Sequence, residues 1–482
     1  MDQFFQIQDI GAIAPELEMA IFGMILLVAD LLIEQKRKLG WIALVGIGCS
    51  ASFLVLQRLR DVDVSAYGGM LVVDPFSAFF KFIFLLGAAL SIAISLKYLD
   101  IERENHGEYY ALILFATMGM MFMASAVDLV TLYIGLETMA IATYVLVGFL
   151  RNNQRSNEAS IKYFLLGAFS SGILLYGMSL LYGISGSTKF VEIAEALSRR
   201  PLTDPISLMA MITLLAGMFF KIAAVPFHQW TPDAYEGAPT SITAYMSVAV
   251  KAASFAMMVR VFMVAIYPLR PEWVPIMSVV CVLTMTLGNI AAITQSNIKR
   301  LLAYSSISHA GYILLGLIAG NETGLVAIPM YLLIYTFTNI GVWAVVVALR
   351  RKDVIGEHVD DMSGLFFKHP VSAILMLIFL LSLAGIPPTA GFIAKYFLFA
   401  AAIETGHNVL AVIAVLNAAI SIYFYFRIVV AMFMREATEK TGLVYSPGVL
   451  TALGVAILFT IFIGIYPDPL ITMARQAVVM AF

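Results

Sequence analysis

Lys221-Ile-Ala-Ala-Val-Pro-Phe-His-Gln-Trp230 sets a lysine, and five residues later a proline, at the end of an apolar run that begins near residue 204. A run of about twenty apolar residues, rising 1.5 Å per helical residue, is long enough to cross a hydrocarbon core about 30 Å thick. Both the charge and the breaker are costly there. The proline removes a backbone donor and frees carbonyls, and an opened helix is tolerated at membrane depth only where protein or a wet cavity surrounds it. Leu383-Ala-Gly-Ile-Pro-Pro-Thr-Ala-Gly391 repeats the arrangement in a run that begins near Val371, with Lys395 four residues beyond the break. Many transporters build their ion sites from broken helices of this kind.

The rest of the chain agrees with a membrane reading. Of its 482 residues 61% are hydrophobic and 12% charged, against about a quarter charged in an ordinary soluble domain. The apolar runs recur from end to end and are apolar on all sides, which predicts an all-α polytopic membrane protein rather than a barrel of alternating strands. Turn and charge signals divide them into about fourteen spans, the broken ones near 204–230 and 370–402 and the last near 446–480. The two broken spans are the seventh and twelfth, and an offset of five reverses direction across the bilayer, so two inverted five-helix repeats are expected. The predicted organisation is an N-terminal three-helix segment over 1–105, a first five-helix repeat over 106–270 broken near Pro226, a second over 271–435 broken near Pro387, and a C-terminal helix over 436–482. The longest gaps, around 185–203 and 350–370, have room for a short surface helix each.

Short cytoplasmic loops carry the excess of lysine and arginine. The first hairpin loop, Glu34-Gln-Lys-Arg-Lys38, is strongly basic, so the amino terminus is expected outside. That choice puts fifteen basic residues in inner loops, Lys352 and Lys440 among them, against seven outside. Both termini are then outside. Met1 to Ile10 carries Asp2 and Asp9 and no basic residue, unlike a cleavable signal peptide, so the first apolar run is expected to be retained. A net charge of -2 without a basic tail argues against nucleic acid. Cys49 and Cys281, far apart in apolar runs, read as packing residues and not as metal or cluster ligands.

Charges near a helix centre cost about 2.5 to 3.5 kcal/mol each on insertion scales, so they need partners or a purpose. Glu137 lies about 13 Å along its helix from Asp128, and Lys221 and Lys251 each lie about 15 Å from the turn at 231–240 that joins their helices. Burial disfavours the charged form of an amine, and a neighbouring carboxylate favours it. Unit charges 4 Å apart attract by about 4 kcal/mol at an effective dielectric of 20, so making or breaking a Glu137–Lys221 pair would switch a lysine between holding and releasing its proton. His309, about ten residues into its span, suits an intermediate relay. Lys162, four residues into its predicted span, is a candidate connector. His228 reads as structural, and Lys81, Arg260 and Arg427 as side chains snorkelling toward headgroups. Asp233 and Glu236 read as solvated turn residues. Glu16, Glu18 and Asp30 are candidates for contact with a neighbouring subunit.

These residues resemble the antiporter-like membrane subunits of respiratory complex I, NADH:quinone oxidoreductase. Within that family the chain is most similar to the subunit N group, the counterpart of mitochondrial subunit 2. The resemblance covers essentially the whole chain and is carried by Ile161-Lys-Tyr-Phe-Leu-Leu-Gly-Ala168, Lys221 through Thr240, Asn297-Ile-Lys-Arg-Leu-Leu-Ala-Tyr-Ser-Ser-Ile-Ser-His-Ala-Gly-Tyr312, and Leu383 through Lys395. It implies a glutamate–lysine pair at Glu137 and Lys221, a central lysine at Lys251, a last lysine at Lys395, and Lys162 as connector. Lysine at 395 and the absence of a long lateral helix favour subunit N over its M-like and L-like relatives. The resemblance further implies M-type and L-type antiporter-like neighbours, small membrane subunits and a redox arm as partners, in a bacterial inner membrane.

Nothing in the sequence handles electrons: it has no dinucleotide-binding GxGxxG after a strand and no cysteine cluster. The resemblance implies that flavin mononucleotide, iron–sulfur clusters and quinone are held by partner subunits. The rival readings are a subunit of a cation/proton antiporter or membrane-bound hydrogenase, a stand-alone solute transporter, and a passive scaffold.

Overall fold

The computed structural model describes residues 7–60, 62–351, 356–437, 442–479 and 481; Asp2, Lys352 and Lys440 lie outside them. Among the described residues twelve helices are long and apolar enough to cross a membrane. Ala14–Leu32 has 19 residues but carries Glu16, Glu18 and Asp30, which keeps it out of that set.

Both predicted breaks are present, and each begins on a residue in the left-handed region. Pro205–Ile222 stops at Ala223, with φ +61°, and the chain resumes as the short helix Trp230–Gly237. Pro370–Ala384 stops at Gly385, with φ +86°, and resumes as Ala390–Glu404. Each break contains a cis peptide bond before proline, at Val225–Pro226 and Pro387–Pro388. The run at 446–480, read as one helix, is two. Pro467 separates Pro447–Ile465 from Asp468–Val479, because proline denies the turn before it a donor and pushes Tyr466 out of helical geometry. The second piece is amphipathic and tied by Arg475 to Glu322 at 2.9 Å. The gap at 185–203 holds the helix Phe190–Ser198, and the loop before Pro75 folds into a hairpin pairing Val64–Ala66 with Leu71–Val73.

Loop contacts sort into two sets, as alternating helices require. On the face of the basic loops Arg350 meets Glu102, Arg300 meets Asp233 and Glu236, and Lys299 meets Glu357. On the opposite face Asp128 bridges to Lys189, and Asn321 bonds Glu404. Pro205–Ile222 starts at this opposite face and Ala390–Glu404 ends there, so both lysines beside the breaks sit on half-helices leading to the same side.

Three helices form the centre. The most apolar stretch of Glu322–Leu349 is 100% buried within the protein, that of Ile298–Ala319 94% and that of Thr240–Ala265 89%, whereas Gln154–Ser185 and Asn408–Met434 reach 39%. The peripheral helices turn apolar side chains outward, while the central ones carry Lys251, His309 and several tyrosines. Thr240–Ala265 passes through π-helical turns at Met246–Val250 and Val261–Ala265, on either side of the Lys251–Arg260 segment. Such turns shift side-chain register and are frequent at functional sites.

The three basic residues expected to snorkel all find partners within the protein. Arg260 is buried and grips both oxygens of Asp74, at 2.6 and 2.7 Å. Lys81 is buried against Glu16 at 2.7 Å, which also withdraws Glu16 from any neighbouring subunit. Arg427 donates to the carbonyls of Ile293 and Gln295, which the end of Arg270–Thr294 leaves free.

Candidate functional site

Lys221 occupies the last turn before the first break and is buried. Its Nζ donates to Ser171 Oγ at 3.3 Å and lies 5.9 Å from the ring centres of Tyr144 and Phe220. Glu137, on Leu129–Val147, is half-buried and within electrostatic reach of this amine. The two do not close into an ion pair. Glu137 Oε1 is instead buried with no hydrogen-bond partner among the described residues.

The connection onward runs through the neighbouring helix. Ser254, one turn beyond Lys251, approaches the Lys221 carbonyl at 3.5 Å. Lys251 Nζ donates to both the carbonyl and the hydroxyl of Ser306. One turn along that helix, His309 Nδ1 lies 2.5 Å from the Tyr331 hydroxyl and Nε2 lies 3.2 Å from that of Tyr425. Tyr425 also shares a hydrogen bond of 2.5 Å with Ser305. Lys395 donates at 2.8 Å to the carbonyl of Ala384, the last residue of the preceding half-helix, and lies 4.9 Å from the centre of the Tyr312 ring. The second break therefore supplies the oxygen that receives its own lysine. Lys395 and His309 face a cavity of about 10 Å³, together with Tyr331, Tyr335, Thr338 and Ser382, at the lower edge of what one water needs.

Lys251, His309 and Lys395 are thus brought together, with Lys221 and Glu137 at one end. Lys162 is not. It is exposed at the face of the basic loops, paired with Glu158 at 2.6 Å and Asp233 at 3.1 Å. Its helix starts at Gln154, leaving the first turns outside the buried part of the bundle. Asp233 and Glu236 are no solvated turn either, since Arg300 binds them at 2.8 and 2.9 Å. Partial burial works against the charge of Asp233, but Arg300 and Lys162 outweigh it and hold the carboxyl below its ordinary range.

Sequence reasoning missed the hydroxyls. Tyr144, Tyr312, Tyr331, Tyr335 and Tyr425 are not among the candidates it named, and the hydroxyls that bond His309 lie 22 and 116 residues away in the chain. A ladder of the same kind climbs Thr240–Ala265 toward Lys251. Tyr98 bonds the Thr240 amide at 3.3 Å, Tyr109 bonds Ser241 at 2.7 Å, Thr117 bonds Tyr245 at 2.8 Å and Asn339 bonds Ser247 at 2.7 Å. Its foot is a cavity of about 290 Å³ at the basic face, lined by Glu102, Glu236, Thr240, Arg350 and Glu357 among others. At about 30 Å³ per water this has room for several. Among the described residues no group of histidine, cysteine and acidic side chains has the makings of a metal site.

Residues 126–421 match the family described as "NADH:quinone oxidoreductase/Mrp antiporter, TM". The chain belongs to that family. Within the NADH:quinone oxidoreductase/Mrp antiporter family it is 51% identical over 484 residues to NADH-quinone oxidoreductase subunit N 2 of Solibacter usitatus, covering 98% of each chain. It superposes with a TM-score of 0.82, at 32% identity over 96% of its length, on a chain of respiratory complex I from Thermus thermophilus with bound aureothin, covering 99% of that chain. A chain of the Mrp complex from Dietzia sp. DQ12-45-1b shares the fold, with a TM-score of 0.83 at 22% identity over 98% of this chain and 97% of that one.

Proposed function

We propose that this chain is the proton-translocating subunit N of a bacterial NADH:quinone oxidoreductase and carries protons along Glu137, Lys221, Lys251, His309 and Lys395. The observation that carries the reading is the central cluster: Lys251 and His309, buried in the most enclosed helices of the bundle, are each bonded to hydroxyls, and buried Lys395 faces the same small cavity as His309. Hydroxyls donate and accept at once, so they pass protons between bases without holding net charge. The ladder below Lys251 serves as the inlet, with Lys162 and Asp233 guarding a neighbouring part of the same face. Three of the five side chains are lysine amines, poor ligands for sodium, which favours the proton as cargo.

In this proposal the segments 106–270 and 271–435 are inverted repeats. Asp128 and Asn297 each cap a helix with the side chain, and each bridges to a residue the same distance onward, 128 to 189 and 297 to 358. The order of lysine and break is reversed between the two. Both termini lie outside the inner membrane, the basic loops within. The energy comes from partner subunits holding flavin, iron–sulfur clusters and quinone, transmitted through antiporter-like and small membrane neighbours.

The test is Lys221→Ala and Glu137→Ala in the assembled complex. Proton pumping is expected to be abolished or sharply reduced while assembly persists; undiminished pumping would favour a scaffold. Copurification with an NADH-oxidising arm separates this function from that of a cation/proton antiporter subunit.

A further inference from the structure

Glu16 and Lys81 stand outside this path. Lys81 Nζ lies 2.7 Å from Glu16 Oε1, and the two side chains are 2% and 1% exposed. Stripping two ions of water costs several kcal/mol each, and a packed neutral pair commonly holds elements together as well or better. Cohesion alone is thus a weak reason for this pair. Its carboxylate is also incompletely satisfied, because Oε2 is buried with no hydrogen-bond partner among the described residues and has a lone pair ready for a proton.

The pair sits where a proton would leave. Glu16 is in the first turn of Ala14–Leu32 and Lys81 in the second turn of Pro75–Glu102, both toward the face opposite the basic loops. Asp74, which caps the Lys81 helix, holds Arg260. Arg260 lies on the Lys251 helix, nine residues and so about 13 Å farther along it. On the other side Glu16 reaches the surface hairpin: burial raises the Tyr67 hydroxyl, and the charges of Asp9 and Glu16 add to the effect. Tyr67 is half-exposed, and its amide donates to Asp9 at 3.3 Å.

We propose that Glu16 and Lys81 form a second proton-exchanging pair, the release site through which protons leaving the central lysines reach the face opposite the basic loops. In the release step an N–H bond of the Lys81 ammonium breaks and an O–H bond forms at Glu16, leaving a neutral amine beside a neutral acid. The acid then gives that proton to water at the Tyr67 hairpin, and the amine takes the next one from the interior. One proton crosses and both groups return to their charged forms. This inference rests on the proton-carrying function proposed above.

The decisive variant is Lys81→Arg, since a guanidinium keeps the charge and the ion pair but does not deprotonate in proteins. The assembled complex is reconstituted in liposomes and the protons moved per NADH oxidised are counted. A fall in that ratio is expected; an unchanged ratio overturns the proposal. If Lys81→Arg does not assemble, the neutral pair Glu16→Gln with Lys81→Met replaces it, with the same two outcomes. Lys221→Ala runs in parallel. A loss there beside an unchanged Lys81→Arg ratio removes the release site alone, and an unchanged Lys221→Ala ratio removes the underlying function.

Discussion

The two broken helices place a lysine in similar positions and surround it differently. Lys221 has a carboxylate within reach, and that carboxylate is half-buried on the flank of the chain with one oxygen unpartnered. Lys395 has no acid in its cavity; it has a freed carbonyl, a tyrosine ring, and beyond them His309 held between two hydroxyls. The first site is therefore governed by charge, since any movement that brings Glu137 nearer changes how firmly Lys221 holds its proton. The second is governed by connection, because a proton there moves only as the hydroxyls around His309 allow.

This contrast sets the order of expected effects. Lys395→Ala removes the amine that faces this cavity, and proton pumping by the assembled complex should fall about tenfold or more, equivalent to about 1.4 kcal/mol or more on the limiting step. Glu137→Gln should cost about threefold to tenfold, and nothing further in a Lys221→Ala background, because residues acting as one unit are not additive. An equal added loss in that background would break the assignment of Glu137 to Lys221. Tyr425→Phe deletes one hydroxyl from the His309 cluster and should slow pumping about fivefold, as expected for a hydrogen bond worth about 1 kcal/mol. Tyr144→Phe, at the charge-governed site, should do less.

Lys162→Ala belongs at the bottom of the scale. Exposed ion pairs contribute little, so pumping should stay within about twofold of the parent. Its partner Asp233 has a carboxyl held below the ordinary range, so what that network contributes to stability is complete above the ordinary range and is lost only as pH falls through the lowered value. Asp233→Asn should therefore leave the shape of the pH profile near neutrality unchanged.

Much of this was legible in the sequence because costly residues are informative in a membrane. Lysines and prolines inside apolar runs mark Lys221, Lys251, Lys395 and both breaks, since lipid offers no cheap place for either. The hydroxyls were not legible, because tyrosine and serine cost little in a span and their partners lie far off in sequence: Tyr425 is 116 residues from His309. The same distance hid the buried pairs. Lys81 and Arg260 read as snorkelling because their partners, Glu16 and Asp74, are close only after folding. Lys162 was misplaced for a simpler reason, that hydropathy locates the apolar part of a helix and not its true start at Gln154.

Lys251, bonded to the Ser306 hydroxyl, is the amine at the middle of the bundle, and the proposed proton path runs through it. Lys251→Met keeps the length and apolar stem of the side chain and removes only the group that binds the proton. In the purified complex reconstituted in liposomes, protons moved per NADH oxidised should drop while the complex remains assembled. A parental ratio from the assembled Lys251→Met complex would contradict the proposed path.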